Sequence, residues 1–97
     1  MIERIEENEK KLDKLLKVKN KVEKDMIQLE KSLKDYKELQ NYYGSREWFQ
    51  DKEALETNKI PKIKAGVLSE DSVWNLKEDF DEIIEQLIKI SKEYYEK

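Results

Sequence analysis

The sequence predicts an all-α protein: a long antiparallel helical hairpin, with helices at about 2–43 and 70–95 and an aromatic-rich connector that carries a short helix at about 46–56. Three observations predict it. Apolar residues recur at alternating three- and four-residue steps toward both ends of the chain. The chain-breaking residues, two glycines and one proline in 97 residues, all fall between those two stretches. The 43 charged residues occupy mainly the positions that the stepping leaves for solvent.

The first helix is read from Ile5, Asn8, Leu12, Leu15, Lys19, Val22, Met26, Leu29, Leu33, Tyr36, Gln40 and Tyr43, nine of which are apolar. The mean step of about 3.5 is the seam of a helix that packs lengthwise on another. Leu16, Val18, Ile27 and Leu39 widen it. Neither Gly nor Pro interrupts Met1 to Tyr43, and Lys, Glu, Leu and Gln are good helix formers. Gly44 then supplies a residue free to turn left-handed, and Ser45 a cap for a new helix. Arg46 to Glu56 places Trp48, Phe49, Ala54 and Leu55 at short-helix spacing. Pro61 pushes Ile60 toward extended backbone and ends that element. Lys62 to Leu68 reads as a loop turning at Gly66. Ser69 is the expected N-cap of the last helix, with Glu70 and Asp71 in its first turn and Leu68 and Val73 placed as a hydrophobic staple. Val73, Leu76, Phe80, Ile83, Leu87, Ile90 and Tyr94 form its seam, with Ile84, Ile88 and Tyr95 beside it.

At this length one domain over 1–97 is expected, with a core small enough that a lone monomer would be marginal. The first helix exceeds the last by about 15 residues, on the order of 20 Å. A simple hairpin therefore leaves Ile5, Leu12 and Leu15 uncovered, and a homo-oligomer, with a dimer favoured, is the expected partner state. Charge is partitioned: residues 70–97 hold 9 acidic and 4 basic groups, whereas residues 1–43 hold 10 and 11.

Composition removes much chemistry. The chain has no His and no Cys, hence no imidazole base, thiol nucleophile, disulfide framework or His- or thiolate-ligated zinc. Gly44 and Gly66 stand in no phosphate-cradling pattern. No cofactor is expected. The opening residues hold no apolar stretch of signal-peptide type and no segment has membrane-span character, which leads to an expectation of a cytoplasmic chain without membrane contact.

Three constellations remain. Lys10, Lys11, Lys14, Lys17, Lys19, Lys21 and Lys24 have the density of a nucleic-acid patch. They spread around the helix, carry no arginine among them and sit in a net-acidic chain, so a solvated surface is expected and nucleic acid is not. A nucleic-acid-associated regulator is kept as a minor alternative. Glu78, Glu82 and Glu85 lie on successive turns of the last helix. Their spacing is like that by which all-helical nucleotide pyrophosphohydrolases hold Mg²⁺. The second acidic pair such a site needs is missing, so a Mg- or Mn-dependent hydrolase is the alternative reading and no metal ligand is assigned. The aromatic residues Tyr36, Tyr42, Tyr43, Trp48 and Phe49 fall within 14 positions, and Trp74 opens the last helix. A folded-back connector would gather Trp48, Phe49 and Trp74, either as a small core or as a partner-binding groove rimmed by Arg46 and Lys52. Tyr43, Trp48, Phe49 and Trp74 are the candidate partner-binding residues; no catalytic residue is proposed.

The run Tyr42-Tyr43-Gly44-Ser45-Arg46-Glu47-Trp48-Phe49, followed by Pro61 and by Gly66-Val67-Leu68-Ser69-Glu70-Asp71, resembles a family of small bacterial proteins known as domain of unknown function 4298. The resemblance covers nearly the whole chain. It implies a bacterial or phage-borne cytoplasmic protein and supplies no activity, cofactor or catalytic residue. The expected function is a non-enzymatic protein-interaction or structural module.

Overall fold

Local signals set the element boundaries. The computed structural model describes residues 1–96, and among them the chain is all-α. Helix α1 runs from Ile2 to Tyr42, α2 from Arg46 to Glu56 and α3 from Ser72 to Tyr95, with a single 3₁₀ turn at Gly66–Leu68. The element order is that of the expected hairpin: a long helix, a connector carrying a short one, then a second long helix. The chain divides into two compact units, Met1–Lys37 and Glu38–Lys97.

The first unit is one uninterrupted stretch of α1. It holds no second element of its own, and most of its apolar stripe lies in solvent, with Leu29, Leu33 and Tyr36 half-buried toward its end. Every residue from Met1 to Gln28 is exposed, and α1 as a whole has no buried residue. Pairs one turn apart neutralise part of its charge, Lys19 with Glu23 at 3.7 Å and Lys21 with Asp25 at 2.9 Å. The hydrogen bond from Lys21 to Asp25, reinforced by the opposite charge, holds that ammonium above its usual range.

The second unit is built around turns. Gly44 has φ +75°, the left-handed conformation that ends α1 without a Cβ penalty. Ser45, with extended backbone, caps α2 as expected: its Oγ accepts the Trp48 backbone N–H at 3.2 Å. The end of α2 differs in mechanism from the sequence reading. Asn58, at φ 60°, takes the left-handed position. Lys59 N–H then donates to the Ala54 carbonyl at 2.9 Å and Asn58 N–H to that of Leu55 at 3.3 Å. This is a Schellman closure, so the helix is already terminated three residues before Pro61.

The start of α3 is also corrected. Regular helix begins at Ser72 rather than at about residue 70, and Asp71 makes no side-chain cap. Ser69 still caps the entry, because its Oγ accepts the Ser72 N–H at 3.1 Å. The same hydroxyl donates to the Gly66 carbonyl at 2.8 Å, and the Ser69 N–H donates there too, at 3.1 Å. Ser69 thus closes the 3₁₀ turn and opens α3 together, which leaves Glu70 and Asp71 in a turn between them.

Only Trp48, Leu68 and Val73 are buried among the described residues, one each from α2, the 3₁₀ turn and α3. Leu68 and Val73 are the predicted staple pair. The extended seams expected to form the core are not buried: along α3, Leu76, Phe80 and Leu87 are half-buried while Ile83, Ile90 and Tyr94 stand in solvent.

At the end of α1, the Gln40 side-chain nitrogen is buried with no hydrogen-bond partner among the described residues. An unsatisfied buried donor costs about 1–3 kcal/mol. Gln40→Met, similar in length but without the amide, is therefore expected to raise stability by about 1–2 kcal/mol in urea titrations.

Candidate interaction site at the aromatic connector

Trp48 organises the connector. Capping by Ser45 fixes the first turn of α2 and turns the indole inward, where it is 4% exposed. Its Nε1–H donates to the Val67 carbonyl at 2.9 Å, so the one polar atom of the ring is satisfied inside the fold. Tyr43 meets the ring edge-to-face at 5.2 Å and Phe49 does so at 4.9 Å. Lys52 lies 5.2 Å above the indole and reaches Glu70 at 3.1 Å. The Tyr43 hydroxyl donates to the Glu70 carbonyl at 2.6 Å. The indole and a cation thus tie α2, and the Tyr43 phenol ties the turn before it, to the segment that leads into α3.

The four candidate residues divide. Trp48 is interior and Tyr43 half-buried, both engaged in holding the connector. Phe49 leans on Trp48 yet is 60% exposed, and Trp74 is 54% exposed. Ring contacts join Tyr43, Trp48 and Phe49, and the Trp74 indole N–H donates to Glu78 one turn along α3 at 2.9 Å. The ring contacts thus bring Tyr43 to the expected pair of Trp48 and Phe49. An aromatic residue four before a glutamate on one helix face was the available signal for Trp74. The roles of Lys52 and Glu70, 18 residues apart, had no local signature.

The Tyr42 hydroxyl donates to Asp51 Oδ2 at 2.5 Å, linking α1 to α2. That hydrogen bond, with burial and the charges of Asp51 and Glu47 adding to it, pushes the phenol from 10.0 up to about 12. Only the protonated phenol can donate, so folding favours it. The contribution is complete below pH 10 and is lost as pH rises toward about 12. Tyr42→Phe is expected to remove this part of the alkaline loss of stability, seen as a flatter dependence of the urea midpoint on pH in that window.

The acidic face of α3 has its own partners. Glu78 accepts from Trp74, and Asp81 pairs with Lys77 at 2.8 Å. Among the described residues no three carboxylates approach closely enough to hold one ion, so Glu78, Glu82 and Glu85 do not converge on a metal. No helix among the described residues is long and apolar enough to cross a membrane. Toward the end of α3, Ile84, Leu87, Ile88 and Tyr95 frame an open apolar depression.

Among the described residues the chain is all-α, with a connector closed by Trp48 and apolar side chains of its long helices in solvent. Its sequence places it more closely: residues 5–90 match the family described as domain of unknown function (DUF4298), and the chain belongs to that family. No curated protein and no solved structure matches it.

Proposed function

We propose that the protein is a non-enzymatic helical interaction module that acts in the bacterial cytoplasm by binding other proteins through exposed apolar side chains. One observation carries the reading: nineteen large apolar residues are exposed where three are buried among the described residues. Apolar surface on that scale marks association sites. In the second unit Phe49 and Trp74 are the anchors. Both are large, aromatic and open to solvent, and Trp48 already closes the interior without them. The cytoplasmic setting is what the family resemblance implies.

The experiment is affinity capture from the source cells with three baits: the wild-type chain, Phe49→Ser/Trp74→Gln, and a helical control of matched charge. The paired variant keeps its fold by circular dichroism and loses proteins that the wild type retains over the control. Equal retention by both baits overturns the assignment of Phe49 and Trp74. Calorimetry with Mg²⁺ or Mn²⁺ provides a second check, because saturable binding abolished by Glu82→Gln would replace the non-enzymatic reading by the hydrolase.

A further inference from the structure

The exposed part of the α1 seam has a defined extent and an uneven pattern. Followed at three- and four-residue steps, it comprises Met1, Ile5, Asn8, Leu12, Leu15, Lys19, Val22 and Met26, all exposed. Leu29, Leu33 and Tyr36, the next three positions, are half-buried. The open seam is therefore about 38 Å long at 1.5 Å per residue. Its two polar interruptions, Asn8 and Lys19, lie at different kinds of seam position, one at d and the other at a in the heptad that starts with a at Ile5.

This pattern selects a partner. From it we propose that the open seam is the dimerisation surface for a second copy of the chain, the two helices running antiparallel about a dyad between Asp13 and Lys14. The inference rests on the reading of exposed apolar faces as association surfaces and names the occupant of one of them. In this register Met1 faces the partner's Met26, Ile5 the partner's Val22 and Leu12 the partner's Leu15. Asn8 faces the partner's Lys19, so both interruptions fall in shared polar layers and every apolar residue meets another. Asn8 already donates its amide nitrogen to the Arg4 carbonyl at 2.8 Å, which leaves its side-chain oxygen to accept from the ammonium. At the flanks Arg4 meets the partner's Asp25, and the dyad makes that ion pair twice. Lys11 and Glu9 pass over the partner's Val18 and Leu16, and no like charges are opposed.

Other registers lack this agreement. A shift of one heptad in one direction sets Asn8 against Met26 and Lys19 against Leu15, and it opposes Glu9 with Glu23. The opposite shift sets Asn8 against Leu12. A parallel, in-register pair stacks Lys19 on Lys19 in the seam and opposes Asp25 with Glu30 at the flank. A buried polar residue facing an apolar one, or a like-charged one, is the usual means by which coiled coils reject a register.

The chain has no cysteine, so single spin labels can be attached at Lys17→Cys and Lys24→Cys, both on the face opposite the seam. Light scattering on the wild type should give a dimer. Pulsed electron–electron distances should then differ between the labels, with axial separations of about 10 Å at residue 17 and about 31 Å at residue 24. Arg4→Glu should weaken dimerisation roughly tenfold, and Arg4→Glu/Asp25→Arg should restore it. Equal distances at the two labels would mean a parallel pair and overturn the proposal. A monomer up to millimolar concentration would also overturn it while leaving the binding of other proteins through Phe49 and Trp74 intact. Loss of capture by those two aromatics with the dimer preserved is the reverse outcome, so the two readings fail separately.

Discussion

Trp48→Ala is expected to lower the stability of the second unit by about 3–5 kcal/mol, the range for deleting a buried aromatic side chain. Several contributions converge on this ring. It is the largest of the three buried residues, and two edge-to-face contacts with Tyr43 and Phe49 each add about 0.5–1.5 kcal/mol beyond burial. The Lys52 ammonium above the indole adds about 0.5–1 kcal/mol. Removal also leaves the Val67 carbonyl without its indole donor. Against a typical net stability of about 5–15 kcal/mol for a whole domain, a loss of this size leaves little reserve. Urea titration followed by Trp74 fluorescence measures it, because Trp74 lies on α3 in the same unit and remains as the sole reporter. Trp48→Phe separates the components: it keeps a ring in the site but cannot donate to Val67, and a loss of about 1–3 kcal/mol is expected. If Trp48→Ala cost less than 1 kcal/mol, the indole would not be the closure of this unit.

The fold was legible where a single residue type carries the decision. Gly44 marked the end of α1 because φ +75° is open to glycine at no steric cost. Ser45 marked the start of α2 because a short hydroxyl side chain can reach back to an orphan N–H. The Leu68–Val73 pair showed where α3 is anchored, since a staple needs only two apolar residues five apart. The stretch from Thr57 to Pro61 marks the end of α2 in the sequence, with Pro61 as the evident cause, although asparagine is second to glycine at the left-handed position after a helix. The proline was the louder signal and the asparagine formed the bonds.

The candidate site was legible as a cluster and not as a set of roles. Nothing in the spacing of Trp48, Phe49 and Trp74 says which ring turns inward. That depends on where the Val67 carbonyl comes to rest, 19 residues further along the chain. The same limit applies to the seams. Stepping of three and four shows that a helix has an apolar face, but whether the face is covered depends on the other elements of its unit. Residues 1–37 hold a single helix and supply none. The polar interruptions at Asn8 and Lys19 read as flaws in the seam when taken along one chain; in the proposed antiparallel dimer they would face each other.

Leu68→Ala should have the next largest effect, about 2–3 kcal/mol, toward the low end of the range for buried leucines because Leu68 retains 7% of its exposure. Its importance comes from position. The 3₁₀ turn that carries it lies between the other two buried residues in the chain, with Trp48 before it and Val73 after it. The carbonyl of the preceding residue, Val67, receives the Trp48 indole, and the hydroxyl of the following one, Ser69, caps the entry to α3. Deleting the Leu68 side chain therefore loosens a turn on which both helices of the unit depend. Neighbouring losses of this kind do not add. Trp48→Ala/Leu68→Ala should cost at least about 1 kcal/mol less than the two single losses combined, because the first deletion already frees part of what the second would release. A double-mutant cycle from urea midpoints, followed by tryptophan fluorescence, measures the difference. Strict additivity would mean that α2 and α3 are held to the turn independently, and that the buried trio is three separate contacts rather than one cooperative core.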